Sequence, residues 1–128
     1  MIDATNGIYF SFTTCELSWP ESGEAIRLSL AAALEAAGAE IDTEMDPYES
    51  DWVFYGVHNE KKFTVVLSIV KFVPCNWFIF MEGATPTDKP DMETRRWAQP
   101  ILDTTIRNRP GTTNFCWHET HETLRDLC

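Results

Sequence analysis

The chain has 128 residues, of which 44% are hydrophobic and 12% aromatic, so it holds enough apolar material for one core and too much for a wholly disordered protein. Its formal net charge is −10. A strongly acidic chain is a poor ligand for a phosphate backbone or an anionic lipid surface, because both attract basic proteins. We therefore expect one domain over residues 1–128 that binds neither nucleic acid nor membrane.

The sequence shows no sign of export or of membrane insertion. No basic and apolar leader follows Met1, and the longest apolar run, residues 63–73, is too short to span a bilayer. Four cysteines are present: Cys15, Cys75, Cys116 and Cys128. Their irregular spacing contains no CxxC pair, so we expect a soluble, cytoplasmic protein with four reduced thiols.

The first predicted element is a strand near the start of the chain. Ile8, Phe10 and Phe12 alternate with other residues, and a period of two places all three side chains on one face. That face should lie against the core.

A helix is predicted next, between Ser18 and Gly38. Ser18 and Glu21 have the spacing of a capping box, and Gly38 suits the position just after the last turn. One apolar stripe runs along this segment: Ile26, Leu30, Ala33, Leu34 and Ala37. Its helical spacing predicts the face that packs on the sheet.

Residues 40–51 contain six carboxylates and no base. Four of them occupy every second position, so an extended chain would place them on one face, and Pro47 would end an edge strand. The predicted acidic row is Glu40, Asp42, Glu44 and Asp46, continued by Glu49 and Asp51. Four aromatic residues near carboxylates are candidate interface anchors: Trp19, Tyr48, Trp52 and Tyr55. For Trp52 and Tyr55 the alternative is packing on opposite faces of the sheet.

Three further strands are predicted over residues 51–58, 62–73 and 77–82, with a short turn at Asn59. They should form a meander. The third is apolar on both faces, as expected of a central strand.

The last part of the chain predicts a second helix and a final strand. Asp88 should cap a helix that runs to about Asn108, and Pro100 should kink or split it. Residues 112–118 predict a strand, followed by a short C-terminal helix.

These elements predict an α+β fold. The expected order is β-α-β-β-β-β-α-β, in which about five or six strands form one largely antiparallel sheet and two main helices pack on one of its faces.

The candidate chemical sites fail the known patterns. A calcium loop starting at Asp42 would need glycine where Pro47 stands and glutamate where Val53 stands. His118 and His121 are three residues apart with Glu122 beside them, which is not a zinc-protease helix. A nucleophilic pair of Cys116 with His58 has no supporting spacing, and burial in the core is the ordinary role of such a cysteine. We expect no metal, no cofactor and no enzyme activity.

The charge distribution favours a cationic partner. Residues 1–60 hold twelve acidic residues and a single base, Arg27, whereas residues 61–128 hold eight acidic and nine basic residues. We expect a small acidic inhibitor that blocks a basic protein, as toxin-immunity proteins and phage anti-defence proteins do. The partner would be a toxin or a nucleic-acid-binding effector.

Three alternatives remain open. In the first, the acidic stretch is a solvated face that serves only solubility. In the second, the chain is an enzyme with a pocket between the sheet and the helices; convergent His, Cys and carboxylate side chains in that pocket would favour it. In the third, the chain is an adaptor or structural subunit; a large apolar surface would favour it.

Overall fold

The computed structural model describes residues 1–14, 19–45, 51–72, 75–85 and 88–124, without the side chains of Trp19 and Phe72. The elements in chain order are β1 (Tyr9–Thr14), α1 (Trp19–Ala36), β2 (Glu40–Asp42), β3 (Trp52–His58), β4 (Lys61–Phe72), β5 (Cys75–Glu82), α2 (Met92–Arg107), β6 (Thr112–His118) and a 3-10 turn (His121–Thr123).

All six strands belong to one antiparallel sheet in the order β2-β3-β4-β5-β1-β6. The α+β prediction, with its element order and its two main helices, is confirmed. β3, β4 and β5 are consecutive neighbours, so the predicted meander is also confirmed. Within the described part of the chain, no helix is long and apolar enough to cross a membrane.

The two faces of the sheet differ. On the helix face, alternate residues of the strands are buried in the core with both helices: Phe10, Phe12, Phe54, Phe63, Val65, Leu67, Trp77 and Ile79. The intervening residues point to the other side, which we call the open face because neither α1 nor α2 covers it; among the described residues, the 3-10 turn touches it at Tyr9 and His118.

Helix α1 packs through most of its predicted apolar stripe, except that Ala33 is only half-buried and Ala37 lies exposed just beyond the helix. Ile26, Leu30 and Leu34 are fully buried. The helix ends in a Schellman motif, in which Ala39 N donates to Leu34 O at 3.1 Å and Gly38 N donates to Glu35 O at 3.0 Å. Gly38 has φ +111°, a backbone conformation that glycine adopts without strain, so its predicted position is confirmed.

The turn between β3 and β4 has only two residues. Asn59 and Glu60 both have positive φ, at 49° and 65°, which is the twist that a tight hairpin needs. The turn predicted at Asn59 is therefore confirmed. It fixes the register of the meander, with His58 opposite Lys61 and Tyr55 opposite Thr64.

Strand β2 is shorter than the acidic pattern predicts. It ends at Asp42, whose Oδ1 accepts a hydrogen bond of 2.9 Å from Glu44 N. Aspartate side chains compete with the sheet for backbone donors in this way, and here the competition ends the strand. Thr43, Glu44 and Met45 have no regular structure.

Helix α2 differs from its prediction at two points. Its N-cap is Asp91, not Asp88, because the Asp91 carboxylate accepts from the backbone of Glu93 and Thr94 at 3.1 and 3.2 Å. Asp88 instead accepts a hydrogen bond from the hydroxyl of Thr85. The helix also runs unbroken through Pro100, so of the predicted kink or split the split does not occur.

The thiol prediction is wrong for Cys116. This half-buried residue of β6 is disulfide-bonded, to a cysteine that is not among the described residues. Cys75 is a buried thiol in the core, as predicted for a strand cysteine. A persistent disulfide is typical of oxidising compartments, so it weighs against a reducing one.

Candidate docking face

The register places the two carboxylates of β2 on the open face. Glu40 lies opposite Val57 and Asp42 lies opposite Tyr55 on β3. Residues directly opposite in an antiparallel pair share a face, and both carboxylates are exposed. The predicted period of two therefore holds for Glu40 and Asp42.

A row of polar side chains crosses the sheet through Tyr55. Asp42 pairs with Tyr55, Tyr55 pairs with Thr64, and Thr64 pairs with Glu82. With strands about 4.8 Å apart, the row spans roughly 14 Å and has a carboxylate at each end. The charges are thus arranged across the sheet rather than along a single strand.

An edge groove of about 420 Å³ lies beside this row. Glu40, Asp42 and Tyr55 line it together with Val57 and Lys62. Lys62 is the one base among its described lining residues, and it lies opposite Val57, two strands away from Glu40. The groove combines apolar side walls with an excess of negative charge, which suits the stem and head of a basic side chain.

A central groove of about 290 Å³ lies on the other side of Tyr55. Its floor is Val53, Val66 and Phe80, and Asp51 and Glu82 are its carboxylates. Asp51 is half-buried and accepts a hydrogen bond of 2.7 Å from Ser68 Oγ, which fixes the direction of its carboxylate. A carboxylate held in this way reaches a partner with less loss of side-chain entropy.

Aromatic rings continue the open face beyond the central groove. The ring centroid of Tyr9 lies 5.5 Å from that of Phe80 and 6.1 Å from that of Phe78. All three rings are half-buried. Partly exposed aromatic side chains are the usual anchors of protein interfaces.

A buried arginine supports the acidic edge from the helix side. Arg27 of α1 is 5% exposed, and its Nη1 donates to Thr43 O at 2.6 Å and to Val53 O at 3.2 Å. Its other nitrogens hold both carboxylate oxygens of Glu24, at 2.6 and 3.0 Å. These hydrogen bonds lower the pKa of Glu24 below its ordinary value. The single base of residues 1–60 is thus engaged inside the protein and does not offset the exposed carboxylates.

The remaining predicted site residues fall into two groups. Glu44 is exposed just after β2, and Trp19 begins α1. Asp46, Tyr48, Glu49 and the side chain of Trp19 lie outside the described residues. Of the acidic row predicted from the sequence, the structure therefore describes only Glu40, Asp42, Glu44 and Asp51.

Sequence reasoning missed Glu82, Phe80 and Tyr9 as parts of this face. Glu82 is forty residues from Asp42 in the sequence, and only the pairing of four strands brings them into one row. The signal that could have found it is the tight turn at Asn59 and Glu60, which fixes the register of β3 and β4. Trp52, by contrast, faces α1 and packs edge-on against Trp77 with centroids 5.4 Å apart.

A second polar cluster joins β1, β6 and the 3-10 turn. His118 Nε2 lies 2.7 Å from Ser11 Oγ, and its Nδ1 lies 2.7 Å from Thr123 Oγ1. Serine beside histidine is an arrangement used for nucleophilic catalysis, and among the described residues the group at Nδ1 is the hydroxyl of Thr123. His118 is also only 4% exposed, so the cluster ties the turn to the sheet and offers no access to substrate.

The other histidines are placed elsewhere. His58 stacks on Trp97 with ring centroids 3.6 Å apart. Four strand steps separate β3 from β6, roughly 19 Å, so His58 forms no pair with Cys116. His121 and Glu122 are exposed in the 3-10 turn.

The described residues contain no group of three His, Cys, Asp or Glu side chains arranged to hold a metal ion. Comparisons with protein-family models, with curated proteins and with solved structures each find no significant match for the chain.

Proposed function

We propose that this protein is a small acidic inhibitor that binds a basic protein through the open face of its sheet. The observation that carries the proposal is the row from Asp42 through Tyr55 and Thr64 to Glu82, flanked by two grooves. It brings carboxylates from three parts of the sequence onto one face beside aromatic rings.

The carboxylates and the rings have different tasks in this proposal. Exposed charges such as Glu40 and Asp42 steer a basic partner and raise the rate of association. The half-buried rings of Tyr9, Phe78 and Phe80 then lose water on contact and slow dissociation. Aromatic anchors surrounded by charge are the usual design of a tight, fast-forming inhibitor complex.

Inhibition follows from competition for a cationic surface. A basic toxin or nucleic-acid-binding effector uses its Lys and Arg side chains to hold phosphate. An acidic face that covers those side chains occupies the same surface. The partner would then lose its substrate without any chemistry by the inhibitor.

The cellular compartment is part of the proposal. We propose the cytoplasm, as expected from the sequence, although the disulfide of Cys116 is typical of an oxidising compartment. A protein of either compartment can carry out the proposed neutralisation.

The test is capture of the partner from the native cell on the immobilised protein, followed by a salt step. We expect one basic protein, released by salt, that inhibits growth when expressed alone and is relieved by co-expression of this chain. The variant Glu40→Lys with Asp42→Lys should fail to capture it and fail to relieve the inhibition.

A matched control carries the same change of charge elsewhere. Glu21 and Glu35 are exposed on α1, on the opposite side of the sheet from the open face. The variant Glu21→Lys with Glu35→Lys should capture the partner like the original protein. Equal loss in both variants would mean that net charge alone matters, and the proposal for this face would be wrong.

A further inference from the structure

A third groove extends the open face toward helix α2. It has a volume of about 520 Å³, and six of its lining residues are apolar or aromatic: Ile8, Tyr9, Phe80, Met81, Pro90 and Met92. The other four are two carboxylates and two bases, whose formal charges cancel: Glu82, Asp88, Lys89 and Arg95. Ile8 is 39% exposed and Met92 is 56% exposed, so two of the largest exposed apolar side chains lie at this groove. We call it the apolar groove.

Shared residues connect the three grooves. Tyr55 lines both the edge groove and the central groove. Phe80 and Glu82 line both the central groove and the apolar groove. The three grooves therefore follow one another across the open face, with Tyr55 between the first two and Phe80 and Glu82 between the last two. We call this series, from the acidic edge strand β2 to the start of α2, the trough.

We infer that this trough binds an extended segment of the partner that is basic at one end and apolar at the other. The identity of the partner as a basic protein rests on the proposed function; the shape and polarity of the segment rest on the trough itself. Glu40 and Asp42 select Lys or Arg at the first end. Ile8 and Met92 select an apolar side chain at the second, because its burial removes their exposed surface from water.

The sheet sets the spacing between the two kinds of side chain. The trough crosses from β2 to β1, which are four strand steps apart in the sheet. At about 4.8 Å a step, the distance is roughly 19 Å, and an extended chain at about 3.3 Å a residue covers it in roughly six residues. The expected signature is a basic cluster followed or preceded by an apolar residue about six positions away.

The probe is a library of random twelve-residue peptides displayed on phage and selected on the intact protein. Peptides enriched on the original protein should carry the basic cluster and the apolar residue at the expected spacing. The variant Glu40→Lys with Asp42→Lys should lose the basic preference and keep the apolar one. The variant Ile8→Thr with Met92→Gln should do the reverse.

A control at a third exposed apolar residue tests whether the position of the lost apolar side chain matters or only its loss from the surface. Leu28 of α1 is 44% exposed and lines none of the three grooves. The Leu28→Gln variant should select the same peptides as the original protein. The consensus peptide should bind the Ile8→Thr/Met92→Gln variant about tenfold more weakly, with an unchanged salt dependence.

The inference is overturned if no spaced motif is enriched, or if both trough variants select the same peptides as the original protein. Its failure differs from failure of the proposed function. A captured basic partner that binds the Ile8→Thr/Met92→Gln variant normally would end this inference and leave the inhibitor proposal intact. If the spaced peptides are selected but no basic cellular partner is captured, the inhibitor proposal fails and this inference stands.

Discussion

The guanidinium of Arg27 donates a hydrogen bond of 2.6 Å to the carbonyl oxygen of Thr43, and this contact joins helix α1 to the segment that follows the acidic strand. The same nitrogen also reaches Val53 O on β3 at 3.2 Å. One buried side chain thus holds both sides of the connection between β2 and β3. The only base in the acidic half of the chain has a structural task there.

Replacement of Arg27 by methionine should lower the free energy of unfolding by about 2–3 kcal/mol. Methionine fills much of the space, but two carbonyl oxygens and the Glu24 carboxylate lose a charged donor. Urea unfolding measures the change. Arg96→Met, at an exposed position of α2, is the matched control and should change the stability by no more than about 0.5 kcal/mol. Equal changes in the free energy of unfolding of the two variants would show that the Arg27 hydrogen bonds do not stabilise the fold.

The Glu24 carboxyl should make stability depend on pH in the acid range. Its pKa is lowered in the folded protein by the hydrogen bonds from Arg27. It therefore contributes stability above the unfolded glutamate value of about 4.3, and that contribution is lost as pH falls through the lower folded value. The difference in urea midpoint between the original protein and Glu24→Gln should be present at neutral pH and vanish in strong acid.

The control for this titration is Glu35→Gln, because Glu35 is exposed on the same helix and forms no ion pair among the described residues. The same comparison for Glu35→Gln shows how much of the pH dependence comes from the loss of any exposed carboxylate on this helix. A Glu24→Gln profile equal to that of Glu35→Gln would contradict the proposed role of the Arg27 contact.

Gly23 should resist replacement although it lies inside a helix. A Cβ at this position would lie 2.3 Å from Cε2 of Trp52, so α1 could not keep its approach to the sheet. Alanine gains up to about 1 kcal/mol in helix propensity, but overpacking a rigid indole costs about 1–3 kcal/mol. Gly23→Ala should therefore lower the melting temperature. Ser29→Ala, at an exposed position of the same helix, should leave it unchanged or raise it slightly; a rise in both variants would mean that the indole moves freely.

The disulfide of Cys116 predicts the number of thiols. Four cysteines are present, and one disulfide leaves two of them to react. Titration of the freshly purified, denatured chain without reductant should find two thiols, and titration after reduction should find four. Four thiols before reduction would mean that Cys116 forms no disulfide in the protein as isolated, as expected of a protein from a reducing compartment.

The strands and helices were predictable because each depends on short-range patterns. The stripe of Ile26, Leu30 and Leu34 and the glycine at residue 38 define α1 without any knowledge of its neighbours. Alternation predicted β1 in the same way and is right for Phe10 and Phe12, which are buried, but wrong for Ile8, which lies before the strand and is exposed. The end of β2 was not predictable, because it depends on whether the Asp42 side chain or the sheet takes the Glu44 N–H.

The candidate site was only half predictable. Glu40 and Asp42 share a face because they are two residues apart in one strand, which the sequence shows directly. Their neighbour in the row, Glu82, depends on the order of β2, β3, β4 and β5, and strand order is a long-range property. The buried role of Arg27 also depends on tertiary packing, since its sequence neighbours say nothing about Thr43 or Val53.

The association rate of the captured partner at low and high ionic strength tests the central claim most directly. The Glu40→Lys/Asp42→Lys variant should associate about tenfold or more slowly than the original protein at low salt, and the two rates should converge at high salt because the charges are then screened. The Glu21→Lys/Glu35→Lys control should keep most of the original rate. Equal association of the original protein and the Glu40→Lys/Asp42→Lys variant at low salt would contradict the account, since the carboxylates of the open face would then be only a solvated surface.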